Sequence, residues 1–111
     1  MTDGVEMSGA LDGIRVLDLS TLVQGPQAAA MLHDLGAEVL KIELPEIGDM
    51  GRHVGIVEEL GTSVFWEACN RGKRSVTLDL RTEAGKEAFL KLVEISDVVV
   101  SNFQPGTLEG W

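Results

Sequence analysis

Cysteine, basic charge and long apolar runs are all scarce in this chain. Its one cysteine, Cys69, has no partner for an internal disulfide and cannot build a Cys-based zinc cluster. A reducing, cytoplasmic setting is the expectation. Lys and Arg number 9 against 18 Asp and Glu, a formal net charge of −9. Such a chain lacks the basic face with which a nucleic-acid binder displaces counterions, and the same balance argues against an anionic membrane surface. No apolar run approaches the roughly 20 residues of a membrane span. Met1 to Ala10 has neither a basic n-region nor an apolar core, so no signal peptide is expected. Nucleic acid and membrane are therefore not expected partners.

What remains suits one small domain. The chain has 111 residues, 44% of them hydrophobic, enough for a single packed core. Residues 1–10 are polar and glycine-bearing and are expected to form a disordered tail, with the domain over 11–111. Ile14 to Leu19 is a short apolar run read as a strand. Pro26 fits the first turn of a helix, where its missing N–H costs nothing. Ala28, Met31, Leu32 and Leu35 follow helical spacing and predict the buried face, and Gly36 ends the helix. Glu38 to Ile42 reads as the next strand, completing a βαβ unit.

Residues 44–62, with Pro45 and several glycines, read as a long irregular loop of the kind that is functional or mobile. Ser63 to Cys69 suits a short helix. Ser75 to Leu80 alternates as a third strand. Thr82 suits an N-cap and Glu83 the first helical turn. That helix should run to about Glu94, with Ala88, Phe89, Leu92 and Val93 inward and Glu87 and Lys91 paired outside. Asp97 to Ser101 is apolar enough for a strand buried on both faces. Pro105 should open a further helix, which the chain leaves after about two turns. The fold class expected is α/β: a Rossmann-like, doubly wound parallel sheet, incomplete at its C-terminus.

Ligands of such sheets sit at the carboxyl ends of the strands. Here those ends are Ser20–Pro26, Glu43–Arg52, Asp79–Thr82 and Ser101–Pro105. Gly25-Pro26 is not a G-x-G-x-x-G fingerprint, and no G-x-x-x-x-G-K-[ST] occurs. Glu43 does stand where a ribose-binding acid belongs, which keeps a dinucleotide reading open. Arg71-Gly72-Lys73-Arg74 is either a small-anion site or a solvated turn. His33 reads as a surface or half-buried helix residue, and His53 in the glycine-rich loop as a weak candidate for chemistry. Cys69 reads as a buried structural thiol. No nucleophile–base constellation emerges from spacing.

Longer stretches are distinctive together: Leu11-Asp12-Gly13-Ile14-Arg15-Val16-Leu17-Asp18-Leu19-Ser20, then Gly25-Pro26, then Asp34 through Glu43, with Gly48-Asp49 and Arg52, Asn70 through Leu80, and Asp97 through Gly106. At these spacings they resemble the family III CoA-transferases, the group that includes formyl-CoA:oxalate and carnitine CoA-transferases and α-methylacyl-CoA racemase. The resemblance runs in order over about residues 11–109. It implies an acyl-CoA thioester substrate and a carboxylic acid acceptor, with no covalently bound cofactor. Contacts to CoA are implied at Val23 and Gln24, at Leu78, Asp79, Leu80 and Arg81, and at Asn102, Phe103 and Gln104. Physically, Arg81 can pair with a phosphate. Leu44 stands where family members often carry an arginine, Gly110 replaces a common basic residue, and Gln24 is displaced by one position from the glutamine of one subgroup.

The resemblance also implies what the 111 residues do not hold. In the transferases a downstream aspartate attacks the thioester and forms an acyl anhydride; in the racemases a downstream His/Asp pair moves the α-proton. None of Asp3, Asp12, Asp18, Asp34, Asp49, Asp79 or Asp97 matches that nucleophile, so no catalytic residue is assigned here. Three readings stay open: the N-terminal CoA-binding part of a transferase or racemase, the small subunit of a split enzyme, or a non-catalytic nucleotide-binding module. A homodimer, or a complementing chain with the catalytic residue, is the expected assembly.

Overall fold

The computed structural model describes residues 9–111. Most of the expected tail, residues 1–8, lies outside that range. Gly9 and Ala10 enter a turn secured where the Leu11 N–H donates to the Leu35 carbonyl at 2.9 Å.

In chain order the elements are β1 (Arg15–Asp18), α1 (Gln24–Asp34), β2 (Glu38–Glu43), a 3₁₀ turn (Met50–His53), β3 (Ile56–Val57), β4 (Thr62–Ser63), α2 (Val64–Cys69), β5 (Arg74–Thr77), α3 (Glu83–Glu94), β6 (Val98–Val100) and α4 (Thr107–Gly110). Four strands form one parallel sheet in the order β5-β2-β1-β6. The chain builds outward from β1 through β2 to β5, then crosses to the other side of β1 for β6. That reversal is the topological switch point of a doubly wound sheet. The helices cover opposite faces. Val16 and Val39 pack with Ala29, Ala37 and Leu32 on the α1 side. Leu17, Leu19, Ile42 and Leu80 pack with Phe89, Leu92 and Val93 on the α3 side.

The first helix departs from the expected pattern. It begins at Gln24, which keeps Pro26 in the first turn as expected, but its buried residues are Gly25, Pro26, Ala29 and Ala30. Leu32 packs on the core as expected, but Met31 and Leu35 are more than half exposed. Helical spacing alone admits several faces. The face chosen is the one whose small side chains let the helix lie close to the sheet.

The expected 44–62 loop holds the 3₁₀ turn and an antiparallel pair, Ile56 opposite Ser63 and Val57 opposite Thr62. The third sheet strand ends at Thr77, so Leu78 and Leu80 lie beyond it. Thr82 does cap α3, its Oγ1 accepting from the Gly85 N–H at 3.0 Å. The ion pair on that helix joins Lys86 to Glu83 at 3.5 Å, not Glu87 to Lys91. Pro105 precedes α4 by two residues, with Gly106 at φ +90° as its N-cap. The expected two-faced burial of the last strand fails. β6 pairs only with β1, and Val98 and Val99 are exposed at the sheet edge.

Candidate functional site at the strand ends

Beneath the carboxyl ends of β1 and β2 lies a buried, charge-balanced quartet. Lys41 Nζ stands 2.6 Å from Asp49 Oδ2 and 3.5 Å from Asp18 Oδ2. Lys73 Nζ reaches the same Asp18 oxygen at 2.7 Å, and donates to the Pro26 carbonyl and Asn70 Oδ1, each at 2.8 Å. Asp18 Oδ1 accepts from the Ser20 N–H and hydroxyl. All four charged side chains are almost completely shielded from water. Two ammoniums against two carboxylates leave no net charge, and buried ions are tolerated only on such terms. Asp49 Oδ2 makes no well-aligned hydrogen bond, so its contact with Lys41 is an ion pair held by proximity.

Glu43 closes the end of β2. Arg52 grips it through Nε at 2.8 Å and Nη2 at 2.9 Å, Ser75 donates at 2.5 Å, and the Asp49 N–H at 2.9 Å. Burial by itself would raise the Glu43 pKa, but the bonds from Arg52, Ser75 and Asp49 outweigh it and hold the carboxyl at about 2. The Arg52 guanidinium stacks on Trp66, 3.5 Å from the ring centre. Glu43 is thus spent on structure. The ribose-binding role that kept a dinucleotide reading open has no free oxygen to perform it.

The basic tetrad is likewise dispersed. Lys73 buttresses the quartet, Arg71 pairs with Asp34 at 2.5 Å, and Arg74 stands 3.6 Å from Glu38. These three charges face three different carboxylates, which is no small-anion site. His33 Nδ1 donates to the Ala37 carbonyl, 3.1 Å away, and its ring fills the space beside Gly72. His53 meets the Ile47 carbonyl at 2.8 Å, and Cys69 is buried.

The residues implied as CoA contacts fall into two groups. Leu78, Leu80 and Phe103 line one cleft with Leu19, Ile42, Leu44 and Trp111. Phe103 meets Trp111 edge-on at 5.2 Å between ring centres. The enclosed volume, about 40 Å³, holds a water or two and no ring system, so a larger ligand would lie across its mouth. Val23, Gln24, Arg81 and Gln104 are exposed and do not line it. Asp79 and Arg81 pair with each other at 2.8 Å; the Arg81 hydrogen bond holds the Asp79 carboxyl below the usual range. Asn102 turns its amide onto the Thr21 backbone.

Sequence reasoning missed the quartet. The signal was a lysine between the apolar residues Leu40 and Ile42 of a parallel strand, next to a strand ending in aspartate. A lysine there needs buried partners. Among the described residues, no group of three or more His, Cys, Asp and Glu side chains could hold a metal ion, and no helix is long and apolar enough to cross a membrane.

The model of CoA-transferase family III matches residues 11–111. Succinyl-CoA:mesaconate CoA-transferase of Haloarcula hispanica is 48% identical over 105 residues, covering 91% of this chain and 26% of that protein. The beta subunit of succinyl-CoA–L-malate CoA-transferase of Chloroflexus aurantiacus is 43% identical over 109 residues, covering 98% of this chain and 27% of the subunit. Among solved structures, a CAIB/BAIF family protein from Brucella suis superposes with a TM-score of 0.83 at 44% identity, over 94% of this chain and 28% of that one. A mutant of Rv3272 from Mycobacterium tuberculosis gives 0.87 at 45%, over 95% and 28%. The chain spans about a quarter of the length of the curated relatives it matches.

Proposed function

The chain belongs to CoA-transferase family III, and from that premise we propose that it is the N-terminal, CoA-binding part of an enzyme that moves CoA between an acyl-CoA thioester and a free carboxylic acid. The observation that carries this reading is the cleft at the strand ends. Residues from the loops after β1, β2, β5 and β6 meet there, at the switch point where α/β sheets take ligands. In this reading Val23, Gln24, Leu78, Asp79, Leu80, Arg81, Asn102, Phe103 and Gln104 form the CoA surface. Leu78, Leu80 and Phe103 offer apolar contact, and Arg81 offers a guanidinium to a phosphate.

The aspartate that would form the acyl anhydride comes from outside the 111 residues. Five of the six described aspartates, all but the exposed Asp12, support this. Asp18 and Asp49 are locked in buried ion pairs, Asp34 and Asp79 are gripped by arginines, and Asp97 accepts from the Arg15 N–H. A carboxylate so engaged is a poor nucleophile. The missing residue would come from a longer form of this chain, a second copy in a homodimer, or a complementing chain. CoA and the acid act as substrates with no bound cofactor, in a cytoplasmic setting consistent with a free, buried thiol.

Isothermal titration of CoA into the purified chain tests binding, and an exchange assay with an acyl-CoA and a free acid tests chemistry. Binding without exchange is expected. No heat of binding overturns the CoA reading, and exchange by the chain alone overturns the placement of the catalytic aspartate.

A further inference from the structure

The β1–β6 ladder ends where the Leu19 N–H donates to the Val100 carbonyl at 2.8 Å. Beyond it the two strands part at the switch point, and Ser20, Thr21 and Leu22 leave regular structure. Side chains from three separate places take over. Lys41 Nζ donates to the Ser20 carbonyl at 3.0 Å. Asn102 Oδ1 accepts from the Thr21 N–H at 2.9 Å while its Nδ2 donates to the Thr21 carbonyl at 2.8 Å. Asp49 Oδ1 accepts from the Leu22 N–H at 2.9 Å. Three successive residues are each held by a different side chain.

The segment needs holding. Leu22 sits at φ +70°, a region that an L side chain seldom enters without support. Gly25 folds back against Ser20 so closely that a Cβ there would lie 2.2 Å from the Ser20 Cβ. Asn102 suits its task because a carboxamide presents one acceptor and one donor side by side, as a peptide group does. It supplies, from a side chain, the rung that the diverging backbones can no longer make.

We propose that Asn102 is a positioning residue: its side chain holds the Ser20–Leu22 segment across the switch point, jointly with Asp49 and Lys41, and so sets the placement of Val23 and Gln24, while Asn102 itself belongs to the CoA surface through its backbone and not through its side chain. The consequence for binding rests on the CoA reading above. The consequence for the loop does not.

The test has two arms, applied to the chain and to its Asn102→Ala and Asn102→Asp variants. Asn102 is exposed, so both are expected to fold, and unchanged exchange at Val16 and Leu17 verifies this. In hydrogen–deuterium exchange, Asn102→Ala should speed exchange at Thr21 about fivefold to twentyfold, the worth of two hydrogen bonds. Asn102→Asp, which keeps the acceptor for the Thr21 N–H, should retain most of the protection. Unaltered Thr21 exchange in Asn102→Ala overturns the proposal.

In CoA titrations at about 0.3 M salt, where distant charges are screened, the positioning role predicts wild type tightest, Asn102→Asp next and Asn102→Ala weakest. A direct side-chain contact to the anionic ligand predicts the reverse order of the two variants, because a carboxylate would repel it, and that result overturns the positioning role. A wild-type chain that does not bind CoA refutes the CoA reading, while the exchange arm still decides the clamp.

Discussion

Glu43 shows how one side chain links the site to pH. Its carboxyl is held at about 2 in the fold, below the ordinary glutamate value of about 4.3. A depressed acid stabilises the folded state above its unfolded pKa and loses that contribution as pH falls toward the folded value. The window therefore lies between about pH 4.5 and pH 2. Each unit is worth about 1.4 kcal/mol at most, and Arg52 reaches solvent, which screens the pair. A loss of about 2 kcal/mol is expected from this residue. Urea unfolding at pH 6 and at pH 2.5 measures it. Glu43→Gln should be less stable than wild type at pH 6 and show a smaller drop between the two pH values; an equal drop would place the acid sensitivity elsewhere.

Arg81 poses a different question at the same scale. Its guanidinium is engaged by Asp79 through both carboxylate oxygens, so a phosphate would have to compete with that carboxylate. If Arg81 serves CoA, Arg81→Ala should weaken binding about tenfold, and Asp79→Ala, which frees the guanidinium, should tighten it. Calorimetric titration of both variants checks the pair. If neither moves the dissociation constant, Arg81 is a surface residue at a helix start.

Among the elements, the turn from β5 into α3 is tightly built. A Cβ at Gly85 would lie 1.9 Å from the Asp79 carbonyl oxygen. Backbone cannot swing aside as a side chain can, so Gly85→Ala must displace the turn or the helix. We expect a loss of about 2–4 kcal/mol, within the range of backbone and overpacking lesions. The melting temperature reads it, and a variant as stable as wild type would show that α3 can shift freely on the sheet.

No local pattern announces that glycine, since Glu83-Ala84-Gly85-Lys86 reads as ordinary helix. What local patterns could announce, they did. The Thr82 cap and the apolar runs of β1 and β2 were legible because capping and strand formation depend on neighbours in sequence. The inward face of α1 was not, because several faces share one spacing and the sheet selects among them. Leu80 illustrates the same limit at the site. Its place beside Leu19 and Ile42 depends on the chain leaving β5 three residues early. The dispersal of the Arg71–Arg74 charges also lay beyond reach, since their partners Asp34, Asp18 and Glu38 belong to other elements.

Across the whole molecule the sheet is short of cover. The described chain measures 50 × 41 × 22 Å with a radius of gyration of 15.3 Å, against about 13 Å for a compact domain of some 100 residues. It is a slab. On the α3 side, Leu80, Phe89, Leu90, Val99, Leu108 and Trp111 wall an apolar groove of about 270 Å³ with Lys86 at its rim. Val98 and Val99 on β6 leave the sheet edge open beside it. An uncovered apolar groove beside an open strand edge invites association, and a net charge of −9 slows aggregation without removing the surface. The isolated chain is therefore expected to self-associate. Sedimentation equilibrium at micromolar concentration should give a mass above the 11.9 kDa of one chain. Val99→Lys, which places a charge on the exposed edge, should shift the distribution toward monomer. A wild-type monomer that unfolds cooperatively would overturn the expectation, because it would show that α1, α3 and the short α4 suffice to close both faces of this four-stranded sheet.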